Sequence, residues 1–242
     1  MPDGPSIVIL KEAVQPFVGQ TVMKVAGNRK IDLQRVQGQK VLEFISFGKQ
    51  FLIKLQQFTI RIHLLLFGTY RINERKETPA RLSLIFLNGE LNFYGCSVQF
   101  IEDDLDKIYD WSADIMSDAW DPEAAKLKLK NRPSIMVCDA LLNQDIFAGS
   151  GNIIKNEVLY RIRVHPATLI GNLPENKLEE LIVETRKYSF DFLKWKKQFE
   201  LKKNWLAHTK KNCIQCGLPL AKMYLGKTNR RSFFCINCQI KY

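Results

Sequence analysis

No apolar run in this 242-residue chain approaches the roughly 20 residues that a membrane-spanning helix needs. The N-terminus, Met1-Pro2-Asp3-Gly4-Pro5, has no basic start and no uninterrupted apolar core behind it, so it does not read as a secretory signal. Internal repeats and low-complexity segments are lacking as well. Cysteine is scarce, with six in all. Two of these, Cys96 and Cys138, stand alone in apolar runs and read as core residues. Acidic residues all but vanish from the last quarter. Residues 186–242 hold 14 Lys and Arg against only Asp191 and Glu200, whereas residues 1–185 hold 22 basic and 23 acidic side chains. These absences lead to an intracellular, non-membrane protein, expected in the cytoplasm of a bacterium and associated with its nucleoid.

The formal net charge of +11 therefore sits at one end of the chain. A one-sided field of this kind attracts polyanions, nucleic acid above all. A solvated lysine-rich helix face is the plainer alternative. Anionic lipid fits less well, because no amphipathic helix with a clear aromatic face accompanies the charge.

Within that basic end lie Cys213-Ile214-Gln215-Cys216 and, eighteen residues on, Cys235-Ile236-Asn237-Cys238. Two such pairs form a four-thiolate zinc pattern, because each tight knuckle turns two sulfurs to one side and two facing knuckles complete a tetrahedron. Two disulfides or unpaired core thiols are the alternative, and the missing secretory signal weighs against them. Gly226 and Asn229 between the pairs suit a hairpin loop, with arginines beside it.

The chain in order predicts an α+β protein. Ile7, Leu10, Val14, Phe17 and Val18 fall at helical spacing, so Ser6–Val18 is expected to be a helix, with Gly19 at its end. From about Thr21 to Gln99 the period becomes two. Short runs at Lys40–Ser46, Gln50–Gln56, Thr59–Leu64, Gly68–Ile72, Arg81–Leu87 and Glu90–Tyr94 imply an antiparallel β-sandwich or barrel, with a hairpin turn at Asn88-Gly89. Residues 102–123 carry nine Asp and Glu against Lys107 alone and are aperiodic, as an interdomain boundary would be. Helices are then expected at Ala124–Lys130, Ile135–Phe147, Ile153–Arg163, Lys177–Trp195 and, more weakly, Phe199–Leu206. Between them, Ala148-Gly149-Ser150-Gly151-Asn152 reads as a sharp reversal with Asn152 as N-cap.

Three stretches, taken together, carry a resemblance. They are Pro2-Asp3-Gly4-Pro5; the joint from Leu141-Leu142-Asn143-Gln144 through Gly149-Ser150-Gly151-Asn152-Ile153 and Asn156-Glu157 to His165-Pro166; and Arg230-Arg231-Ser232-Phe233-Phe234 running into Cys235, Cys238 and Gln239. In this order the chain resembles the formamidopyrimidine-DNA glycosylase and endonuclease VIII family, nearly end to end. The resemblance implies an N-terminal helix and β-sandwich (1–120), a helix-two-turn-helix domain (121–210) and a zinc-finger hairpin (211–242, ligands Cys213, Cys216, Cys235 and Cys238). It also implies damaged or abasic double-stranded DNA as partner, bound in a cleft between domains, one structural zinc ion, no membrane and a monomer.

The implied chemistry is base excision with abasic-site lyase activity. Pro2, freed by loss of Met1, attacks C1′ of the damaged nucleotide as a secondary amine and forms an iminium that drives β- and then δ-elimination. Asp3 stands where the family has a proton-handling glutamate, and Ser6 where a second glutamate often occurs. Lys49, in Gly48-Lys49-Gln50-Phe51-Leu52, matches the family's hairpin lysine. Leu65, Leu66 and Phe67 resemble the loop that fills the gap left by an extruded base, although on pattern alone they read as core. Asn152 and Lys155 are expected at phosphate. Arg230 matches the zinc-hairpin arginine, with Arg231 beside it. The stretch Asn92-Phe93-Tyr94-Gly95-Cys96-Ser97 lacks the orphan-base segment of the formamidopyrimidine branch, which implies the endonuclease VIII side and oxidised pyrimidines. The departures at Asp3 and Ser6 open a second reading, a zinc-dependent binder of damaged or abasic DNA with weak or no base removal. A zinc-ribbon protein of RNA or ribosomes is a third, but it leaves Pro2 and Gly48-Lys49 without a role.

Overall fold

The structure, a computed structural model, describes residues 2–27 and 32–242. Met1, on whose removal the amine chemistry depends, lies outside the described residues. The chain divides into two units. One holds Pro2 and Ser6–Tyr109; the other holds Asp3–Pro5 and Asp110–Tyr242. Among the described residues no helix is long and apolar enough to cross a membrane.

Helix α1 (Gly4–Ala13) belongs to the first unit from Ser6 onward. It is shorter than its hydrophobic spacing suggests, because Pro16 has no N–H for the carbonyl of residue 12 and its ring crowds that carbonyl. Residues Gln15–Phe17 tighten into a 3₁₀ turn instead. The strands are β1 (Lys24–Gly27), β2 (Val41–Phe47), β3 (Gln50–Leu55), β4 (Thr59–Ile72), β5 (Leu82–Phe86) and β6 (Gly89–Ile101). They form one antiparallel sheet in the order β1-β5-β6-β4-β3-β2. The two runs expected at Thr59–Leu64 and Gly68–Ile72 are a single strand, and β1 had no clear signal in its four residues. The β5–β6 turn sits one residue earlier than expected, because Phe86 pairs with Gly89 and leaves Leu87-Asn88 as the loop.

This sheet folds over on itself. β4 pairs with β6 from Thr59 opposite Ile101 to Leu64 opposite Cys96, then from Thr69 opposite Tyr94 to Ile72 opposite Leu91. Four residues, Leu65–Gly68, thus face Gly95 alone. A side chain on Gly68 would meet the Gly95 carbonyl at 2.7 Å, so the backbones approach this closely only with glycine there. Aromatic side chains from the two halves meet in the core, with Phe51 and Phe93 rings 5.8 Å apart. Ile7 and Leu10 of α1, and Val14 just beyond it, join the same core, which also takes in Cys96. Burial pushes the Cys96 thiol up to about 11, so it stays protonated and inert.

A short α2 (Leu105–Ile108) closes the first unit. The second unit is helical, with α3 (Pro122–Lys130), α4 (Val137–Ala140), α5 (Asn152–Arg161) and α6 (Glu175–Lys197), followed by the hairpin of β7 (Ala221–Leu225) and β8 (Arg230–Phe234). Asp121 caps α3 by accepting from the N–H groups of Glu123 and Ala124. The long helix expected over Ile135–Phe147 is only the single turn of α4. Asn143 Oδ1 accepts from the Asp145 N–H at 2.9 Å, an Asx turn that competes with helical bonding. Cys138, buried in this core, has its thiol raised to about 11 by burial.

The centre of the second unit is α5, which is buried on every side. Ile154 and Val158 face the apolar core. Yet Lys155, Asn156 and Glu157 between them are buried too. Glu157 accepts from the N–H groups of Leu206, Ala207 and His208 at 2.9, 3.0 and 2.7 Å and pairs with Arg161. The segment Phe199–Leu206 forms turns rather than the expected helix: Phe199 has φ of +60°, and the Leu206 N–H is taken by Glu157. A buried carboxylate held this way loses its partners all at once or not at all. We predict that Glu157→Ala, which leaves three N–H groups without their acceptor and takes one of two carboxylates from Arg161, costs about 3–5 kcal/mol, measured by urea unfolding. Glu157→Gln should cost less, because the amide oxygen still accepts.

Candidate nucleic-acid interface

In the second unit the reversal at Gly149-Ser150-Gly151 delivers the chain into α5. Gly151, not Asn152, is the N-cap, and the capping carboxylate comes from far away in sequence. Asp3 lies buried against this helix start, with Oδ2 accepting from the Ile154 N–H at 3.4 Å. The Gly4 N–H donates to the Gly149 carbonyl at 2.8 Å. A β-carbon on Gly151 would fall 1.7 Å from Asp3 Oδ1, so the glycine is what admits the carboxylate. The positive end of a helix dipole favours a negative group in this place.

Asn152, released from capping, turns its amide to the Arg231 carbonyl at 3.0 Å. Lys155 does the same from one turn on. It is completely buried, and its ammonium donates to the Arg231 carbonyl at 3.1 Å and to Ser232 Oγ at 2.8 Å. Burial lowers its pKa to about 8. The lysine expected at phosphate is thus turned toward the backbone of β8 rather than toward solvent.

The hairpin is held from three further points. Asn156 Oδ1 accepts from the Phe233 N–H at 3.2 Å. Gln239 accepts from the Cys235 N–H at 2.8 Å and donates to the carbonyls of Leu159 and Val164. Asp139, on α4, accepts from the backbone of Lys227 and Thr228 at the hairpin tip, at 2.8 and 3.1 Å. Asp139 went unnoticed in the sequence because its partners lie some 88 residues away and leave no local pattern. With the hairpin fixed, Arg230 and Arg231 stand at the start of β8. Arg231 donates to the Tyr224 hydroxyl at 2.8 Å and lies over that ring.

At the base of the hairpin the four expected cysteines meet. All their sulfurs lie within 4.8 Å of one another, with Cys213 and Cys238 3.8 Å apart and Cys216 and Cys235 3.5 Å apart. Disulfides would need about 2.05 Å. A tetrahedron with zinc–sulfur bonds of about 2.3 Å has edges of about 3.8 Å. The cluster is therefore consistent with a zinc site.

In the first unit, Lys49 occupies the two-residue turn between β2 and β3, with Phe47 paired to Gln50. It is buried. His63 pairs with Gln50 across the sheet; burial first, then the charges of Lys49 and Arg61, hold its imidazole below the usual range. Leu65, Leu66 and Phe67, which would read as core, are thrown outward by the Gly68–Gly95 approach and are 50%, 61% and 88% exposed. Ser6 is buried at the start of α1.

Residues 112–188 match the family model described as the formamidopyrimidine-DNA glycosylase H2TH domain. The formamidopyrimidine-DNA glycosylase of Lactobacillus helveticus is 26% identical over the whole of both chains. The chain is thus similar to formamidopyrimidine-DNA glycosylases from end to end, and its helical unit carries their H2TH domain. Endonuclease 8-like 3 of Xenopus laevis is 28% identical over 90% of this chain, but the chain spans only 38% of that protein's length. A Lactococcus lactis formamidopyrimidine-DNA glycosylase, solved non-covalently bound to DNA containing an abasic site, shares the fold with a TM-score of 0.87 at 20% identity, covering 99% of this chain and 100% of that one. The matched residues 112–188 take in α3, α4, the reversal, α5 and the first half of α6, and the four-cysteine hairpin is docked on α5.

This docking generates a metal prediction. The purified protein is expected to carry one zinc ion per chain by atomic absorption. Cys235→Ser should release it and weaken duplex binding by about tenfold or more, since the hairpin's arginines lose their fixed position. Unchanged duplex affinity in metal-free protein would remove the hairpin from the interface.

Proposed function

We propose that this chain is a DNA glycosylase with abasic-site lyase activity, acting on oxidised bases, pyrimidines in preference to purines, in double-stranded DNA. Pro2, as an N-terminal secondary amine, forms the bond to C1′ while the bond from C1′ to the base breaks, and the base leaves with that electron pair. Ring opening yields the iminium. This withdraws electrons as C2′ loses a proton and the C3′–oxygen bond breaks, and then as C4′ loses a proton and the C5′–oxygen bond breaks, each phosphate leaving with the electron pair. An α-amino group, with an ordinary pKa of about 8, has a usable neutral fraction at cell pH.

The observation that carries this reading is the seat of Asp3. The residue next to the proposed nucleophile is pinned at the N-terminus of α5 by Gly151 and the Ile154 N–H. An acid–base group at the sugar needs such fixed placement. In the same reading Lys49 contacts the backbone at the lesion, and Leu65, Leu66 and Phe67 fill the gap left by the extruded base, which suits their exposure. Arg230 and Arg231 hold phosphates, zinc braces their hairpin, and Asn152 and Lys155 serve that strand from beneath.

One observation favours a second reading. Asp3 is a methylene shorter than the family's glutamate, and its carboxylate is already engaged by α5. A protein that grips damaged or abasic DNA and removes bases poorly would look the same.

Borohydride trapping separates the two. The lyase gives a covalent complex with abasic duplex, and an N-terminal extension that blocks Pro2 abolishes it. Full trapping by the extended protein would rule out the amine, and no trapping by protein shown by intact mass to begin at Pro2 would leave the binder. Gly151→Ala, whose methyl group displaces the Asp3 carboxylate, should slow release of an oxidised pyrimidine by about 100-fold, with zinc content and duplex affinity retained.

A further inference from the structure

The end of α6 carries a side chain that the proposed activity leaves unused. The helix stops in a Schellman reversal, in which the Phe199 N–H donates to the Lys196 carbonyl at 3.2 Å and the Glu200 N–H to the Trp195 carbonyl at 2.8 Å. The residue in the left-handed position of this motif is ordinarily glycine. Here it is Phe199, with φ of +60°. Trp195 and Leu201, on either side, pack against the helical core and fix the turn. Phe199 itself is 95% exposed.

A bulky residue with positive φ is strained, and a bare phenyl ring in water gains nothing from burial. The Schellman bonds and the packing of Trp195 and Leu201 hold the backbone of this turn, but among the described residues the ring itself stays 95% exposed, so a partner for it is sought outside the chain. The neighbourhood says what would supply it. Lys194, Lys197, Lys202 and Lys203 are exposed around the turn. Glu200, one of only two acidic residues after position 185, is paired with Lys203 at 3.2 Å. A rigid aromatic face set among ammonium groups matches a base with its phosphates. An aromatic side chain stacks on any unpaired base, while lysines track the backbone. A lipid surface would call for an apolar face spread over several turns, and the end of α6 offers one ring.

We propose that Phe199 is a stacking platform for an unpaired nucleobase, with the surrounding lysines on the adjoining phosphates. This rests on the reading that the chain binds DNA, but not on its cutting DNA. The test is anisotropy with a labelled single-stranded oligonucleotide across a salt series, beside trapping on abasic duplex. Phe199→Gly should lower single-strand affinity by about tenfold, the scale of one lost base stack. The slope against salt should stay the same, because no charge is removed. The melting temperature should hold or rise, because glycine suits the left-handed position. Phe199→Trp should restore the affinity. Equal single-strand affinity for wild type and Phe199→Gly, or no single-strand binding by wild type, overturns the proposal. So does phosphatidylserine-vesicle binding that depends on Phe199 while DNA affinity does not. If trapping persists in the first of these cases, the lyase reading stands and only the platform falls. If trapping fails while single-strand binding depends on Phe199, the reverse holds.

Discussion

The second unit depends on the polar bonds made by one buried helix. An α-helix in a small domain normally shows one apolar stripe and one wet face. α5 has no wet face in its middle, and Lys155, Asn156 and Glu157 run consecutively through the interior. Such groups are tolerable only when every one is partnered, since an unpaired buried charge costs several kcal/mol. Beside the side chains of Ser232, His208 and Arg161, the partners are backbone atoms of segments that could not hold themselves: three N–H groups of 206–208, the Phe233 N–H, and the Arg231 carbonyl. A hairpin with so few buried apolar residues lacks a core of its own. Its orientation comes instead from the four-cysteine knot at its base and from α5 along its length. Directional bonds are suited to this, because hydrophobic contact alone would let a small hairpin slide.

The same economy sets the candidate chemistry. Gly151 and Asp3 are one device, in which a missing side chain on the helix start makes room for a carboxylate 148 positions earlier. Gly68 and Gly95 are another, in which two bare backbones touch so that three large apolar side chains must face outward. In both cases a glycine acts by letting something else approach. This is why a glycine in these positions carries information that its own chemistry does not.

Elements whose cause is local were legible in the sequence, and elements whose cause is distant were not. The Cys-x-x-Cys pairs, the alternating strands and α6 follow from spacing within a few residues, and the structure has them. The α1 boundary was misjudged because Pro16 outweighs the apolar period that runs through it. The Phe199–Leu206 helix fails because Phe199 takes a left-handed backbone and Glu157, far off in sequence, takes the Leu206 N–H. Leu65, Leu66 and Phe67 read as core by composition. Only the pairing of β4 with β6 reveals that they have no core to enter. Asn152 looked like an N-cap because Asn usually is one, and nothing nearby announces that a carboxylate from the other end of the chain has taken the place.

Lys155 shows most clearly how position redirects a residue. A lysine in the first turn of a helix, at a glycine reversal, resembles a phosphate ligand by every sequence criterion. Buried, with its pKa pulled down to about 8, it is a poor source of long-range attraction and a good short donor. Its two bonds end on the backbone of Arg231 and on Ser232. They therefore fix the strand from which the arginines project. Arginine, charged at any cell pH and forked, is the better group to meet a phosphate. Lysine, compact and able to shed its proton, is the better group to bury. The helix and the hairpin thus divide the work by what each cation can bear, and the positive field of the basic end is left to Arg230, Arg231 and the lysines that stay in water.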